Sequence, residues 1–196
     1  PGSTFKILAA YAPALDTAGM TLATVQDDAP YTYANGAPLR NSDQKYRGLI
    51  TMREAIIRSV NVSAVKTLTE ISPQVGYDYL MNFGFTTLPQ SDIVQSLALG
   101  GITNGVTNLE LTAAYATIAN SGTYTKPRLY TKILDHDGNI LIDNTPQTRT
   151  VLKETSAFLL TSAMQDVVAY GTGRNVNFGT MSIAGKTGTT NDDRDM

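Results

Sequence analysis

Apolar and polar positions along this chain change from helical spacing to strand-like spacing and back. The run S-T-F-K-I-L-A-A-Y-A predicts a helix that starts near Ser3 and heads toward Pro13. Residues 16–50 hold Gly, Pro, Asn and Asp without helical periodicity, and read as a long connecting segment with little regular structure, a kind of loop that often carries function. Thr51-Met52-Arg53-Glu54 has capping-box form and opens a helix through A-I-I-R. Ser59-Val60-Asn61 interrupts it, because Ser and Asn compete for backbone hydrogen bonds, and V-S-A-V-K-T-L-T-E-I follows as a second helix. Ser72-Pro73 reads as an N-cap followed by a first-turn proline, with the helix ending near Gly84. Thr107-Asn108-Leu109-Glu110 is a further capping box, and its helix runs to Gly122.

Strand-like spacing then takes over. Y-T-K-P-R-L-Y-T-K-I-L and N-I-L-I form a hairpin around the turn signal Asp137-Gly138. A helix from about Lys153 to Tyr170 puts Phe158, Leu160, Met164, Val167 and Val168 on roughly one face. The first half of M-S-I-A-G-K-T-G-T-T reads as a strand, and its glycines mark close backbone approach. Helices and antiparallel strands in this order predict an α+β fold in a single domain spanning residues 1–196.

Composition narrows the function classes. With 42% hydrophobic residues and 16% charged ones, below the roughly 25% of an average domain, the chain is suited to a packed core rather than to disorder. A net charge of −2 and the lack of any Lys/Arg run exclude nucleic acid as an expected partner. No cysteine is present, which removes disulfide and thiolate chemistry. The longest uncharged stretch, between Asp92 and Glu110, is rich in Ser, Thr, Asn and Gly, so no membrane segment is expected in this chain. A start at Pro1 and an end just past the last strand predict an excised piece of something longer. The only histidine, His136, sits in the hairpin turn, so the base of any nucleophilic catalysis is not expected to be histidine.

S-x-x-K occurs three times, at Ser3–Lys6, Ser42–Lys45 and Ser63–Lys66. Context separates them. Ser3 lies at a helix start, where free backbone N–H groups and the positive end of the dipole suit an oxyanion, and Lys6 shares its helix face. Ser63 falls inside a helix and Ser42 in a segment with no helix start. To act as a base, Lys6 must lose its proton. Moving its pKa from about 10.4 to about 7.4 corresponds to roughly 4 kcal/mol. A second cation about 5 Å away supplies about 3 kcal/mol at an effective dielectric of about 20, and partial burial adds the rest. Lys186 is the expected second cation.

In K-T-G-T, Thr187 and Thr189 alternate onto one face, and their hydroxyls with the Lys186 charge suit a carboxylate. Gly185 and Gly188 would let a substrate backbone come close. The Thr189 N–H would be an oxyanion donor beside that of Ser3. In S-V-N, the Ser59 hydroxyl can relay a proton, and the Asn61 amide can donate to a substrate carbonyl while accepting from a lysine.

S-T-F-K, S-V-N and K-T-G-T, in that order, resemble the signature of serine β-lactamases and penicillin-binding proteins. Further stretches carry the resemblance along nearly the whole chain: I-T-M-R-E-A-I-I-R-S-V-N-V-S-A-V, L-E-L-T-A-A-Y-A-T-I-A-N-S-G-T-Y, Y-G-T-G-R and A-G-K-T-G-T-T-N-D-D-R-D. Together they resemble the transpeptidase domain of a class A, bifunctional penicillin-binding protein. The resemblance implies a helical lobe plus an antiparallel sheet, here an incomplete fragment without the flanking strands.

It also implies a D,D-transpeptidase that needs neither metal nor cofactor. Ser3 would attack the penultimate D-alanine of a peptidoglycan stem peptide and Lys6 would take its proton. Ser59 and Lys186 would pass a proton to the leaving D-alanine, and Asn61 would hold the acyl chain. Thr187, Gly188 and Thr189 would bind the substrate, its terminal carboxylate lying on the two threonines. Partners so implied are stem peptides of lipid II-derived strands and β-lactams, at the extracytoplasmic face of a bacterial membrane, with the anchor upstream. A D,D-carboxypeptidase, a serine β-lactamase and a non-turnover β-lactam sensor share the three motifs. The β-lactamase reading is weakened because none of Glu70, Glu110 and Glu154 is followed four residues later by Asn.

Overall fold

The computed structural model describes residues 1–190; the stretch N-D-D-R-D at 191–195, which shares the family resemblance, lies outside the described residues. The fold is organised around its first helical segment. This opens as a 3₁₀ turn, Gly2–Thr4, widens to a π-helix, Lys6–Tyr11, and closes as α1, Ala12–Asp16. Every residue from Phe5 to Ala12 has zero exposure, so the segment is the axis of the core.

The helix runs past Pro13, where the sequence pattern pointed to its end. Proline lacks an N–H, and its ring crowds the carbonyl four residues back. The π register relieves this: the Ala12 N–H bonds Ile7 O, five residues back, and Pro13 falls in the first turn of α1, where no donor is needed. At the far end, the Asp16 carboxylate accepts from Tyr79 Oη (2.7 Å) and from the Lys153 N–H (2.8 Å).

Residues 16–50 are more regular than expected. β1 (Val25–Asp28) pairs antiparallel with β4 (Gly48–Thr51), and β2 (Tyr31–Thr32) with β3 (Pro38–Leu39). The inward positions of β1 are Gln26 and Asp28, both polar, so the strand has no apolar alternation to read. The buried Asp28 carboxylate is met by Asn41 Nδ2 (2.7 Å) and the Arg47 N–H (3.1 Å).

Six α-helices are present among the described residues. After α1 come α2 (Met52–Ile57), α3 (Asn61–Ile71), α4 (Pro73–Asn82), α5 (Asn108–Ala119) and α6 (Glu154–Tyr170). Capping is as the sequence indicates at Thr107, where both reciprocal bonds form. At Thr51 only the half from the Glu54 N–H forms, because the Glu54 carboxylate pairs with Arg58 instead. On α6, Leu160, Met164, Val167 and Val168 are buried, but Phe158 is 71% exposed and leaves the expected face.

The run 124–134 is not one strand. It divides into β5 (Thr123–Thr125) and β6 (Lys132–Leu134) around Pro127, which cannot donate to a ladder. β6 pairs with β7 (Ile140–Asp143) across the expected turn, and β5 pairs with β8 (Thr148–Thr150). The segment 181–190, expected to begin as a strand, has no ladder partner among the described residues; at Gly188 and Thr189 it packs against the start of the first helix. The architecture is α+β, with its strands in separate antiparallel pairs.

One side chain in the early loop joins ribbon to helix. α3 has no side-chain cap of its own at Val60. Asn41 supplies it: its Oδ1 accepts the N–H groups of Asn61 (2.9 Å) and Val62 (3.2 Å), while its Nδ2 donates to Asp28 and to Lys45 O (2.8 Å). Asn41→Ala strips a partner at once from the buried Asp28 carboxylate and Val62 N–H and from the part-buried Asn61 N–H and Lys45 carbonyl. Urea unfolding is expected to show a loss of about 3 kcal/mol, because each orphaned buried group costs about 1–3 kcal/mol.

Candidate active site

One cleft of about 560 Å³ collects residues from all three sequence motifs: Ser3, then Ser59 and Asn61, then Thr187, Gly188 and Thr189. Lys6 and Lys186 complete the group from below. Lys186 Nζ donates to Ser59 Oγ (2.7 Å), and Lys6 Nζ lies 3.1 Å from the same oxygen. Lys6 Nζ also donates to Ser59 O (2.5 Å) and Asn61 Oδ1 (2.6 Å). Ser3 Oγ is not among the hydrogen-bond partners of Lys6 among the described residues; the lysine is instead shared with the second motif.

The backbone at Ser59 explains this arrangement. α2 ends in a Schellman motif: the Val60 N–H bonds Ala55 O (2.9 Å) and the Ser59 N–H bonds Ile56 O (3.1 Å). The residue in the left-handed position is Ser59, with φ +55°, where glycine is the usual occupant. The strained turn brings both the carbonyl and the hydroxyl of one residue to a single ammonium group. α3 begins two residues later, so the Asn61 side chain reaches the same nitrogen. Asn61 Nδ2 is held in turn by Arg40 O (2.8 Å).

Electrostatics follow from burial. Lys6 has zero exposure, and loss of hydration pushes its pKa well below the usual lysine value, with the charge of Lys186 pushing the same way. Burial alone brings Lys186 down to about 8. A neutral Lys6 satisfies every group around it. It donates to Ser59 O and Asn61 Oδ1 and accepts the Ser59 hydroxyl proton, while Ser59 Oγ accepts from a charged Lys186. Ser59 Oγ thus bridges the two amines.

The third motif crosses the first without a strand partner. A side chain at Gly188 would lie 2.7 Å from Pro1 O and 2.9 Å from Thr4 Cγ2, and one at Gly2 would lie 2.4 Å from Thr189 O. Glycine at 188 is thus required by backbone packing inside the protein, and the residue also lines the cleft. At Gly185 a Cβ would find, among the described residues, only Val168 Cγ2, at 3.9 Å, so the packing of those residues does not require glycine there. Thr187 and Thr189 both line the cleft, as do Gly188 and Thr190 between and beyond them, so the segment borders it along its length rather than by strand alternation. The Thr4 carbonyl, one residue past Ser3, is fixed by Tyr115 Oη at 2.8 Å.

Sequence reasoning missed several residues here. Arg58, Leu99 and Thr172 line the cleft, and Asn41 and Tyr115 hold its walls. Thr172 had a signal in its flanking glycines; Asn41 had none beyond its place in a loop without periodicity. Of the other two S-x-x-K serines, Ser63 is buried within α3, whereas Ser42 touches the cleft rim without a helix start.

Comparison with known proteins identifies the family and the fold. A family model described as the penicillin binding protein transpeptidase domain matches residues 1–194. Penicillin-binding protein 1A of Clostridium botulinum is 37% identical over 206 aligned residues, which cover 100% of this chain and 25% of that protein. Penicillin-binding protein 1A/1B of Bacillus subtilis is 34% identical, covering 98% of this chain and 21% of that protein. The chain therefore spans about a quarter of the length of the curated relatives it matches. Among solved structures, PonA1 of Mycobacterium tuberculosis in complex with penicillin V superposes with a TM-score of 0.83 at 27% identity, covering 96% of this chain and 52% of that one. A D,D-transpeptidase domain from Eggerthella lenta shares the fold, with a TM-score of 0.80 at 22% identity, 97% of this chain and 53% of that one being covered.

The strain at Ser59 has a direct test. Ser59→Gly and Ser59→Ala remove the same hydroxyl, but only glycine relaxes the left-handed backbone. The glycine variant is expected to be more stable than the alanine variant by about 1 kcal/mol, read from paired denaturation curves.

Proposed function

This chain belongs to the family of penicillin-binding-protein transpeptidase domains, and on that premise we propose that its cleft catalyses D,D-transpeptidation of peptidoglycan. The observation that carries the reading is the convergence of Lys6 and Lys186 on Ser59 Oγ in the cleft that holds Ser3.

The Ser3 hydroxyl attacks the carbonyl of the penultimate D-alanine, and its proton passes to neutral Lys6. The developing oxyanion takes the N–H groups of Ser3 and Thr189. When the C–N bond breaks, the departing D-alanine amine receives a proton through Ser59, between the two lysines. Asn61 steadies the acyl chain, and Thr187 and Thr189 with Lys186 hold the terminal carboxylate. An amine of a neighbouring stem peptide then attacks the ester carbonyl. It gives up a proton along the same path, the new C–N bond forms, and the Ser3 hydroxyl is restored. β-Lactams enter as mimics whose ring C–N bond opens onto Ser3. No metal or cofactor takes part in these steps.

None of Glu70, Glu110 and Glu154 is followed four residues later by Asn, the arrangement that would seat an anionic base for a hydrolytic water. This favours an amine acceptor over the β-lactamase reading. The substrate places the reaction on the extracytoplasmic face of a bacterial membrane. Among the described residues no helix is long and apolar enough to cross one. We treat residues 1–196 as one partial transpeptidase domain.

Three outcomes are expected with a fluorescent penicillin and with stem-peptide donor plus amine acceptor. Ser3→Ala abolishes labelling; label retained by that variant overturns the nucleophile assignment. Ser59→Ala slows acylation by about 10²-fold or more, the usual scale of a lost proton-transfer group. The acylation rate of the unaltered protein rises with pH as Lys6 is freed of its proton. It falls again near pH 8, as Lys186 loses the charge that holds the carboxylate. A rate that climbs without a maximum through pH 10 contradicts the role of Lys186.

A further inference from the structure

The loop after α6 makes a contact that the three motifs do not require. Thr172 Oγ1 lies 2.6 Å from Thr187 Oγ1, and both residues line the cleft. The position of Thr172 is closely fixed. Its N–H bonds Ile57 O (3.3 Å) at the end of α2, two residues before Ser59. Gly171 has no room for a side chain, since a Cβ there would lie 2.3 Å from the same Ile57 carbonyl. The N–H groups of Gly171 and Gly173 both bond Val167 O at 3.0 Å, so the loop is held on α6 as well. Residues 171–173 are thus wedged between the turn that carries Ser59 and the segment that carries Lys186.

Two hydroxyls at this distance share one hydrogen bond, leaving one proton of the pair for a third group. That proton faces a cleft lined by Arg58, and the Lys186 ammonium is bonded to Thr187 O (2.9 Å), so two cations make this the setting of an anion. A hydroxyl already accepting a hydrogen bond donates a stronger one. We propose that Thr172 is a specificity-determining residue of the carboxylate subsite: paired with Thr187, it directs the free hydroxyl proton onto the substrate's terminal carboxylate. This rests on the transpeptidase reading, from which the carboxylate comes.

The test compares two probes on the purified protein by intact mass: benzylpenicillin, which carries the carboxylate, and its methyl ester, which does not. Thr172→Val is expected to slow acylation by benzylpenicillin about tenfold, the scale of one hydrogen bond to a charged acceptor, while changing the rate with the ester by less than about twofold. Thr172→Ser, which keeps the hydroxyl, is expected to restore the benzylpenicillin rate to within about twofold. Equal losses with both probes, or no loss with either, overturn the proposal and leave Thr172 as a packing residue. A serine variant as slow as the valine variant does the same. If the unaltered protein forms no adduct with benzylpenicillin, the transpeptidase reading itself falls and takes this proposal with it.

Discussion

An ammonium group with zero exposure, Lys6 Nζ, sets the terms for the rest of the molecule. A charge taken out of water is tolerated only if every N–H finds an oxygen or the proton leaves. Here the oxygens come from Ser59 and Asn61, more than fifty residues along the chain. Presenting them takes a left-handed residue at the end of α2, a helix start two residues later, and an outside cap from Asn41. The ribbon of β1 and β4 holds that cap through Asp28. The long early segment is therefore the buttress of the second motif.

The same burial supplies the reactivity. Desolvation disfavours the charged form of Lys6 and so lowers its pKa, and Lys186 adds a repulsion that vanishes if either amine gives up its proton. Ser59 lies between them with one proton and two lone pairs, so its hydroxyl can accept from one amine while donating to the other. The glycines that let the third motif lie across the first bring the two amines together. Backbone packing at Gly2 and Gly188 thus acts on proton chemistry, although neither glycine bears a reactive group.

Much of this was legible in the sequence, and the reasons for the rest are specific. Helices α2, α4 and α5 carry recognisable caps at Thr51, Ser72 and Thr107, and these helices together with α3 and α6 were readable to within a few residues. The sequence reading also brought Ser3, Ser59, Asn61, Thr187 and Thr189 toward one site, and they share one cleft. β1 was illegible because its inward residues are Gln26 and Asp28, which hydrophobic periodicity discounts. Asn41 was illegible because its worth lies in four bonds to groups distant in sequence. Phe158 misled for a related reason: an aromatic on a helix face carries no mark of which face the tertiary contacts will choose. Pro13 shows a local rule overridden, because the π register before it accommodates the ring.

The protonation of Lys6 is the central point, and side-chain NMR reads it directly. In protein with ¹⁵Nζ/¹³Cε-labelled lysine, resonances assigned through Lys6→Met and Lys186→Met would be followed across pH. Lys6 is expected to titrate well below the ordinary 10.5 and Lys186 near 8, and removing the Lys186 charge is expected to raise the Lys6 midpoint. A Lys6 midpoint near 10.5 that is indifferent to Lys186→Met would contradict the idea that burial and a neighbouring cation prepare this lysine as a base.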